Sequence, residues 1–560
     1  MLIDNQPEIQ EHKNLPRKKS LLEFPPAVLL GAIIFPLIFT IINLSWYPRS
    51  PEGWVHSGFL HNDQYVYTAY ARSVFERGNG ITYANSYDCL PDSPRILSNF
   101  GYLLLGWLKV LLPFNWVNIW ELLRLVGGIA MALLLYKFLC LFIEGEHRRL
   151  FFWLLAMTSG GIAWLVALPK TSEMSWLQAF IYVEGGSGRY ESYGFWALNI
   201  FRQGLYPLET LYHFLLYGIF IAYLLRRTTF TLGLLFLLWW AHPITASLAT
   251  TTLIAASIIE WLFKSDRRFH SVTLLGTILI ACIFTVYNFI FLTSFPAGKS
   301  LVEQTLSFGH RLLWVHILLA WGFLLISIPL VFVTRTSRCF LFSNNRGRFI
   351  LIWFVTVFLW THNDWFLPRM IQPIHFARGH FLLALILLLA TSTRGLSASI
   401  FQKRLSRFAL NIILGSILTV GAMDNLFFAC QLATRVPYPG LLTVSVPMTN
   451  ILDKLNNLDQ SQVVLSLSRE ISIMTPVRTH HRVVIGDYAL TPFMEEKNQE
   501  LKDLFDKGDP TLLNRYKVKY LVAEEKQIRS GVLDDGLIFF QRIYTNGYYA
   551  LYERKLNKGN

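Results

Sequence analysis

Apolar runs close to twenty residues long recur along this chain, and short polar segments separate them. An α-helix needs about 20 apolar residues to cross a bilayer, so the pattern predicts a mainly α-helical, polytopic membrane protein. We expect about eleven transmembrane helices, at 26–46, 117–142, 150–168, 206–225, 229–243, 246–263, 271–293, 312–333, 349–361, 379–393 and 408–430.

The polar arm before the first span is basic. Its positive residues are Lys13, Arg17, Lys18 and Lys19. Basic residues mark cytoplasmic segments, so the arm 1–25 is predicted to be cytoplasmic and residues 47–116 to form a large first outer loop. No small-residue cleavage site follows the first span, which indicates a retained helix.

The apolar stretch NFGYLLLGWLKVLLPF at 98–113 is short for a span and contains a lysine. If it crossed the membrane, every later basic cluster would lie outside, against the rule that cytoplasmic loops are basic. We therefore expect an amphipathic helix in the outer interface at this position. The other outer segments are then 169–205, 294–311, 362–378 and everything after about 431.

The pattern changes towards the C-terminus. Short β-type runs (QVVLSLS, HRVVIGD, VKYLVAEE, LIFFQRIYT, YYALYER) alternate there with helical patterns such as TPFMEEKNQELKDLFDKG. This alternation predicts a small α/β domain. We therefore divide the chain into the arm 1–25, a transmembrane domain at 26–433 and an extracytoplasmic α/β domain at 434–560.

Composition agrees with this division, because 53% of the residues are hydrophobic and only 15% are charged. The net charge of +14 comes from clusters between apolar runs, which is typical of cytoplasmic loops and not of nucleic-acid binding. The five cysteines stand singly, so neither a disulfide framework nor a cysteine metal cluster is predicted.

The first outer loop contains HNDQYVYTAYAR at 61–72, in which apolar residues after Asp63 have helical spacing. Asp63 at the start of this helix suits an N-cap, and it equally suits a general base or a ligand of a divalent ion. Asp88, Asp92 and Glu209 are candidates for a second acid, although acids in turns are ordinarily solvated.

His-Asn-Asp recurs at 362–364, where an outer loop with several ionisable residues begins. Arginine binds phosphate with paired N–H groups, so Arg369 or Arg378 would suit a phosphate ligand; the alternative is contact with lipid headgroups. The further candidates for substrate binding are Gln372, His375 and Lys299. His242 in AHPIT is interpreted as a turn histidine and Asp364 as structural.

Neither a Walker loop nor a GxSxG or HExxH motif is present, which argues against a nucleotide-driven pump. Ionisable residues avoid the predicted span centres, which disfavours an ion-coupled transporter.

Together these segments resemble the GT-C superfamily of integral-membrane glycosyltransferases. The likeness lies in the order of a first span, an outer loop with an early acid (HNDQYVYTAYARSVFERGNG), an interfacial helix, many spans and an outer α/β domain. Within the superfamily the chain is most similar to uncharacterised bacterial GT-C-like membrane proteins, through SGGIAWLVAL, WWAHPITA and IQPIHFARGHFLLAL.

The resemblance implies transfer of a sugar from a polyprenyl-phosphate-linked donor to an envelope acceptor on the outer face of a bacterial inner membrane. Asp63 would then be the base, and Arg369 or Arg378 would hold the phosphate. Many members carry paired acids in the first loop, whereas here His61 and Asn62 precede Asp63 and Gln64 follows it, so this departure argues against a metal site as much as for one: a metal-independent member is at least an equal alternative to one with a divalent metal ion. A non-catalytic protein that binds, moves or scaffolds lipid-linked glycans is the other hypothesis.

Overall fold

The computed structural model describes residues 23–76, 80–90, 93–172, 175, 178, 199–263, 266–307, 311–396, 407–434, 442–458, 461–530 and 533–555. The helices up to residue 434 are α1 Pro26–Trp46, α2 Asp63–Phe75, α3 Phe100–Leu111, α4 Trp116–Cys140, α5 Glu146–Thr158, α6 Ala163–Ala167, α7 Pro207–Leu224, α8 Thr228–Ala241, α9 Pro243–Leu262, α10 Arg267–Thr285, α11 Pro296–Ser307, α12 Trp314–Trp321, α13 Ser327–Leu330, α14 Arg335–Ser343, α15 Asn345–Thr361, α16 Pro373–Ala377, α17 His380–Leu396 and α18 Arg407–Thr434.

Seven helices in the described part of the chain are long and apolar enough to cross a membrane, or nine if each of two bent helix pairs is one span. The expected count of eleven is therefore not confirmed. The predicted spans 229–243 and 349–361 are α8 and α15, with 14 and 17 residues. The predicted spans 150–168 and 312–333 fall in the bent pairs, with angles of 49° and 92°.

At the break between α5 and α6, the backbone is in close contact with α12. A Cβ on Gly161 would lie 1.5 Å from the carbonyl oxygen of Leu319, so only glycine fits. The carboxylate of Asp424 accepts the N–H groups of Ala163 (3.2 Å) and Trp164 (2.7 Å) at the start of α6. Asp424 lies inside a membrane-spanning helix, so the expectation that ionisable residues avoid the span centres was wrong here.

The buried centre of the helical part is aromatic. The ring of Phe138 on α4 lies 5.8 Å from Tyr217 on α7 and 5.7 Å from Trp353 on α15, measured between centroids. These large side chains bury much apolar area and hold the three helices together.

In the first outer loop, α2 begins at Asp63 as predicted and packs on α3, with Tyr67 stacked on Tyr102 at 5.2 Å. Helix α3 has only 12 residues, which agrees with an interfacial helix and not with a span. Strand β1 (Trp54–His56) pairs antiparallel with β4 (Thr443–Ser445), joining this loop to the C-terminal region. A second ribbon pairs β2 (Thr82–Tyr83) with β3 (Ile96–Leu97).

The C-terminal region contains a five-stranded sheet in the order β6-β5-β7-β9-β8. β5 runs parallel to β6 and β7, and β9 runs antiparallel to β7 and β8. The five β-type runs of the sequence are these strands: β5 Val463–Ser466, β6 Arg482–Val483, β7 Val518–Glu524, β8 Phe540–Thr545 and β9 Tyr549–Arg554. The helices around the sheet are α19 Val446–Asn456, α20 Arg469–Arg478, α21 Met494–Lys507, α22 Thr511–Arg515, α23 Glu525–Arg529 and α24 Asp534–Leu537.

Candidate active site

Asp63 is the first residue of α2, and its side chain is 45% exposed. The N-cap position is occupied by Asn62, whose side chain makes no capping hydrogen bond. The simple N-cap interpretation of Asp63 is therefore wrong, and its carboxylate faces a small cleft. The lining residues are Asp63, Gln64, Tyr67, Trp120, Tyr206, Pro207, Leu208, Glu209 and Tyr212.

The His61 ring lies between Asp63 and Tyr206. Its Nδ1 accepts the backbone N–H of Asp63 at 3.1 Å, and its ring centroid is 4.4 Å from that of Tyr206. A nitrogen that accepts this hydrogen bond carries no proton, so the contact of 3.5 Å between Nδ1 and the Asp63 carboxylate is not an ion pair. Burial lowers the pKa of His61 and Arg378 lowers it further, while Asp63 opposes the shift.

Glu209 and Arg378 form a buried ion pair in the same region, with side chains 9% and 14% exposed. Glu209 stands in the first turn of α7, and Arg378 follows α16. The Nε of Arg378 has no hydrogen-bond partner, and the charge of Arg378 interacts with that of Asp63. An arginine with a spare donor beside a carboxylate can receive an anionic ligand.

Two histidines complete a set of potential metal ligands with Glu209. One ligand atom each from Glu209, His242 and His375 lie within 4.8 Å of one another. Nδ1 of His242 is 2.7 Å from the Thr245 hydroxyl, whereas Nδ1 of His375 is buried without a partner. Carboxylate and imidazole ligands suit zinc and similar divalent ions, so these residues fit a metal ion.

An apolar groove adjoins this cluster, and His242 belongs to both. Its lining surface is almost entirely apolar and comes mainly from the π-helical segment Val286–Phe291 and the short 3-10 helix Leu292–Ser294, which follow α10, and from α11, with Ile96, Phe289, Leu292, Leu301, Val302 and Ile371 among the residues. His242 also stacks on Tyr212 of the Asp63 cleft, with centroids 4.5 Å apart. The groove therefore lies next to the cleft that holds Asp63, and the stacked rings of His242 and Tyr212 stand between them.

The other predicted residues are distributed unevenly. Gln372 lines the groove and donates to the Thr305 carbonyl oxygen at 3.2 Å. Asp88 also lines the groove, and its carboxylate accepts from Leu90 and Ser93, as in a turn.

The remaining candidates do not join the cluster. Arg369 and Lys299 are exposed and line neither the cleft nor the groove. Asp364 is paired with Arg311 at 2.9 Å, which agrees with its structural interpretation. Asp92 lies outside the described residues.

Sequence reasoning missed His242 and gave His61 no role. AHPIT was interpreted as a turn, and His242 does cap α9, since its ring accepts from Thr245. The sequence could not indicate a shared site, because His242 and His375 are far apart in the chain and come together only in the folded structure.

The structure resembles that of the Archaeoglobus fulgidus oligosaccharyltransferase in complex with zinc and sulfate, with a TM-score of 0.53 and 10% identity over 95% of this chain and 74% of the other. The chain has a GT-C fold. The same archaeal enzyme, AglB, solved with an inhibitory peptide and a dolichol-phosphate, has a TM-score of 0.46 and 11% identity over 95% and 75%.

ArnT from Cupriavidus metallidurans in the apo state has a TM-score of 0.44 and 12% identity, over 93% of this chain and 98% of that chain. No protein-family model matches the sequence, and no curated protein matches it either. The likeness to these solved structures therefore describes the fold of this chain.

Proposed function

We propose that the chain is a GT-C glycosyltransferase that moves a sugar from a polyprenyl-phosphate-linked donor to an envelope acceptor on the outer face of the membrane. One observation carries the proposal. The charges of Asp63 and Arg378 interact, the Nε of Arg378 has no hydrogen-bond partner, and an apolar groove lies next to the cleft of Asp63.

In the proposed reaction, a hydroxyl oxygen of the acceptor bonds to the anomeric carbon of the sugar. The bond between that carbon and the phosphate oxygen breaks, and polyprenyl phosphate leaves with the bonding electrons. Asp63 takes the hydroxyl proton, as a general base. Arg378 donates hydrogen bonds to the phosphate, whose negative charge grows as it departs.

The groove supports a lipid donor. A polyprenyl tail is a long hydrocarbon, and burial of such a tail against apolar side chains is favourable at about 25 cal/mol per Å². Two polar residues of the groove wall are close to the Glu209–Arg378 pair, since a ring nitrogen of His242 lies within 4.8 Å of a Glu209 carboxylate oxygen and Gln372 precedes Arg378 by six residues. We propose that the tail lies in the groove and that Arg378 holds the phosphate.

We propose in addition that a divalent ion binds beside Asp63 and Arg378. Glu209, His242 and His375 would hold it, and the zinc in the archaeal oligosaccharyltransferase structure supports this assignment. When bound, such an ion supplies positive charge that stabilises a phosphate leaving group.

Metal analysis of the purified protein should find about one ion per chain. The His375→Ala variant should lose this ion, and the exposed His147→Ala variant should keep it as the control. Equal metal content in both variants would remove this assignment.

The reaction is tested with purified protein in liposomes and a panel of radiolabelled polyprenyl-phosphate sugars. We expect release of polyprenyl phosphate with at least one donor when envelope extract supplies acceptors, and a strong decrease in Arg378→Gln. The exposed Arg369→Gln is the matched control. If donors bind but no sugar is transferred by the wild type, the non-catalytic glycan-binding hypothesis replaces this one.

A further inference from the structure

A second cleft, of about 640 Å³, lies where the first outer loop meets the C-terminal sheet. Ligand sites commonly measure about 300–1,000 Å³, so the size suits a ligand. The lining residues are Glu52, Gly53, Trp54, Ser445, Pro447, Glu524, Glu525, Lys526, Arg529, Gly547, Tyr548 and Tyr549. None of these residues lines the Asp63 cleft or the apolar groove, so this junction cleft is a separate site.

The walls of the junction cleft are fixed by backbone contacts. Trp54 on β1 is opposite Ser445 on β4. The Asn546 side chain donates to the Pro447 carbonyl oxygen at 2.7 Å, and the Glu525 N–H donates to that of Tyr548 at 2.8 Å. These bonds join the loop, α19, α23 and the β8–β9 turn, so the cleft exists before any ligand arrives.

Its charges nearly balance. Three glutamates face one lysine and one arginine. Glu524 pairs with Lys526 at 2.8 Å, and Glu525 pairs with Arg542 and accepts from Thr545. An anionic lipid headgroup or a nucleic acid requires an excess of positive charge, and a hydrocarbon tail would leave the carboxylates unsolvated. Because Glu524 and Glu525 are already paired with Lys526 and Arg542, little free charge is left for a charged ligand, which favours a polar, uncharged one.

The junction cleft also has aromatic side chains that a ligand can contact. Trp54 and Tyr549 are partly exposed and Tyr548 is 70% exposed, although large aromatic side chains are ordinarily well buried. Flat rings pack against the C–H faces of sugars, while carboxylate, guanidinium and phenol groups bond their hydroxyls. We propose that the junction cleft binds a neutral oligosaccharide.

The proposal does not rest on the transfer reaction. It is tested with the full-length protein in detergent and three neutral probes (maltohexaose, chitohexaose and mannohexaose), by saturation-transfer NMR and calorimetry. We expect at least one probe to bind and its affinity to fall at least tenfold in Tyr548→Ala and in Trp54→Ala, with partial recovery in Trp54→Phe. Because Tyr548 is so exposed, its substitution leaves the fold intact, and unchanged thermal unfolding verifies this.

The control variants are Trp365→Ala, which removes an exposed tryptophan that does not line the junction cleft, and Asp63→Asn, which alters the proposed catalytic base. Both should bind the sugar like the wild type. The proposal is overturned if no probe binds, if Tyr548→Ala binds as well as the wild type, or if only an acidic or basic peptide competes for the cleft. Loss of transfer in Asp63→Asn with binding retained separates the two functions.

Discussion

Asp63 and Asp364 each end a His-Asn-Asp tripeptide, yet they occupy different environments. Asp63 is half-exposed beside a neutral histidine in a cleft, whereas Asp364 is mostly buried and paired with Arg311. The tripeptide alone therefore does not determine the role of its aspartate. The contacts made by residues far away in sequence decide which copy is available to a substrate.

The Glu209–Arg378 pair joins residues 169 positions apart and allows a prediction about stability. Removal of one member of a buried pair leaves an uncompensated charge, which costs about 3–5 kcal/mol. We expect Arg378→Gln to lower the free energy of unfolding in detergent by that amount, and the double variant with Glu209→Gln to lose less than the sum. Arg311 is 69% exposed, so Arg311→Gln should cost under about 1 kcal/mol; equal losses in the two single arginine variants would contradict a buried Glu209–Arg378 pair.

His61 predicts a pH dependence of stability. Its pKa is lower in the folded protein than its ordinary value near 6.5, mainly because of burial. The folded state therefore binds fewer protons, so this contribution to stability is present above about pH 6.5 and is lost as the pH falls. His61→Gln should flatten the decrease of the unfolding temperature between pH 7 and 5. The exposed His147→Gln should retain the wild-type slope, and an identical slope in His61→Gln would be evidence against a buried neutral His61.

For single residues, the sequence identified candidate site residues but not the residues that they contact. Asp63, Glu209, Arg378 and His375 were all predicted as site residues, from residue type and position near a membrane surface. Their convergence, and the addition of His242, depend on how α7, α9 and α16 pack. Residue patterns along the chain contain no such distances.

Among the elements, local periodicity predicted types well and lengths poorly. The C-terminal strands and α2 have the positions that alternation and helical spacing indicate. The count of eleven spans is not confirmed, because the runs 150–168 and 312–333 fall in bent helix pairs and the runs 229–243 and 349–361 form helices of only 14 and 17 residues. Apolar composition records burial or lipid contact, and it does not record where a helix breaks.

The close packing at the bend between α5 and α6 can be tested by glycine substitutions. Gly161→Ala would drive a Cβ into the Leu319 carbonyl oxygen, so we expect loss of folded protein or destabilisation of several kcal/mol. Gly233 on α8 has no atom within 4 Å of an added Cβ, so Gly233→Ala should be neutral or stabilise by up to about 1 kcal/mol. Size-exclusion profiles and thermal unfolding in detergent measure both; a well-folded Gly161→Ala variant would refute the close contact.

For the whole molecule, the basic clusters predict a cytoplasmic N-terminus and an outer C-terminal region. A fluorescent protein fused after residue 560 should stay dark and alkaline phosphatase should be active there. Fusions after residue 400, within a basic segment predicted to be cytoplasmic, should give the opposite result. A fluorescent fusion at the C-terminus would place the sheet, the junction cleft and Asp63 on the cytoplasmic side.

If Asp63 accepts the proton of the attacking hydroxyl, the rate of sugar transfer at saturating donor depends on its carboxylate. Asp63→Asn keeps the shape of the side chain and removes the base, so we expect the rate to fall by about 10²–10⁴-fold with donor binding unchanged. Asp364→Asn, in the second copy of the tripeptide, should retain the wild-type rate. Full transfer by Asp63→Asn would contradict the account.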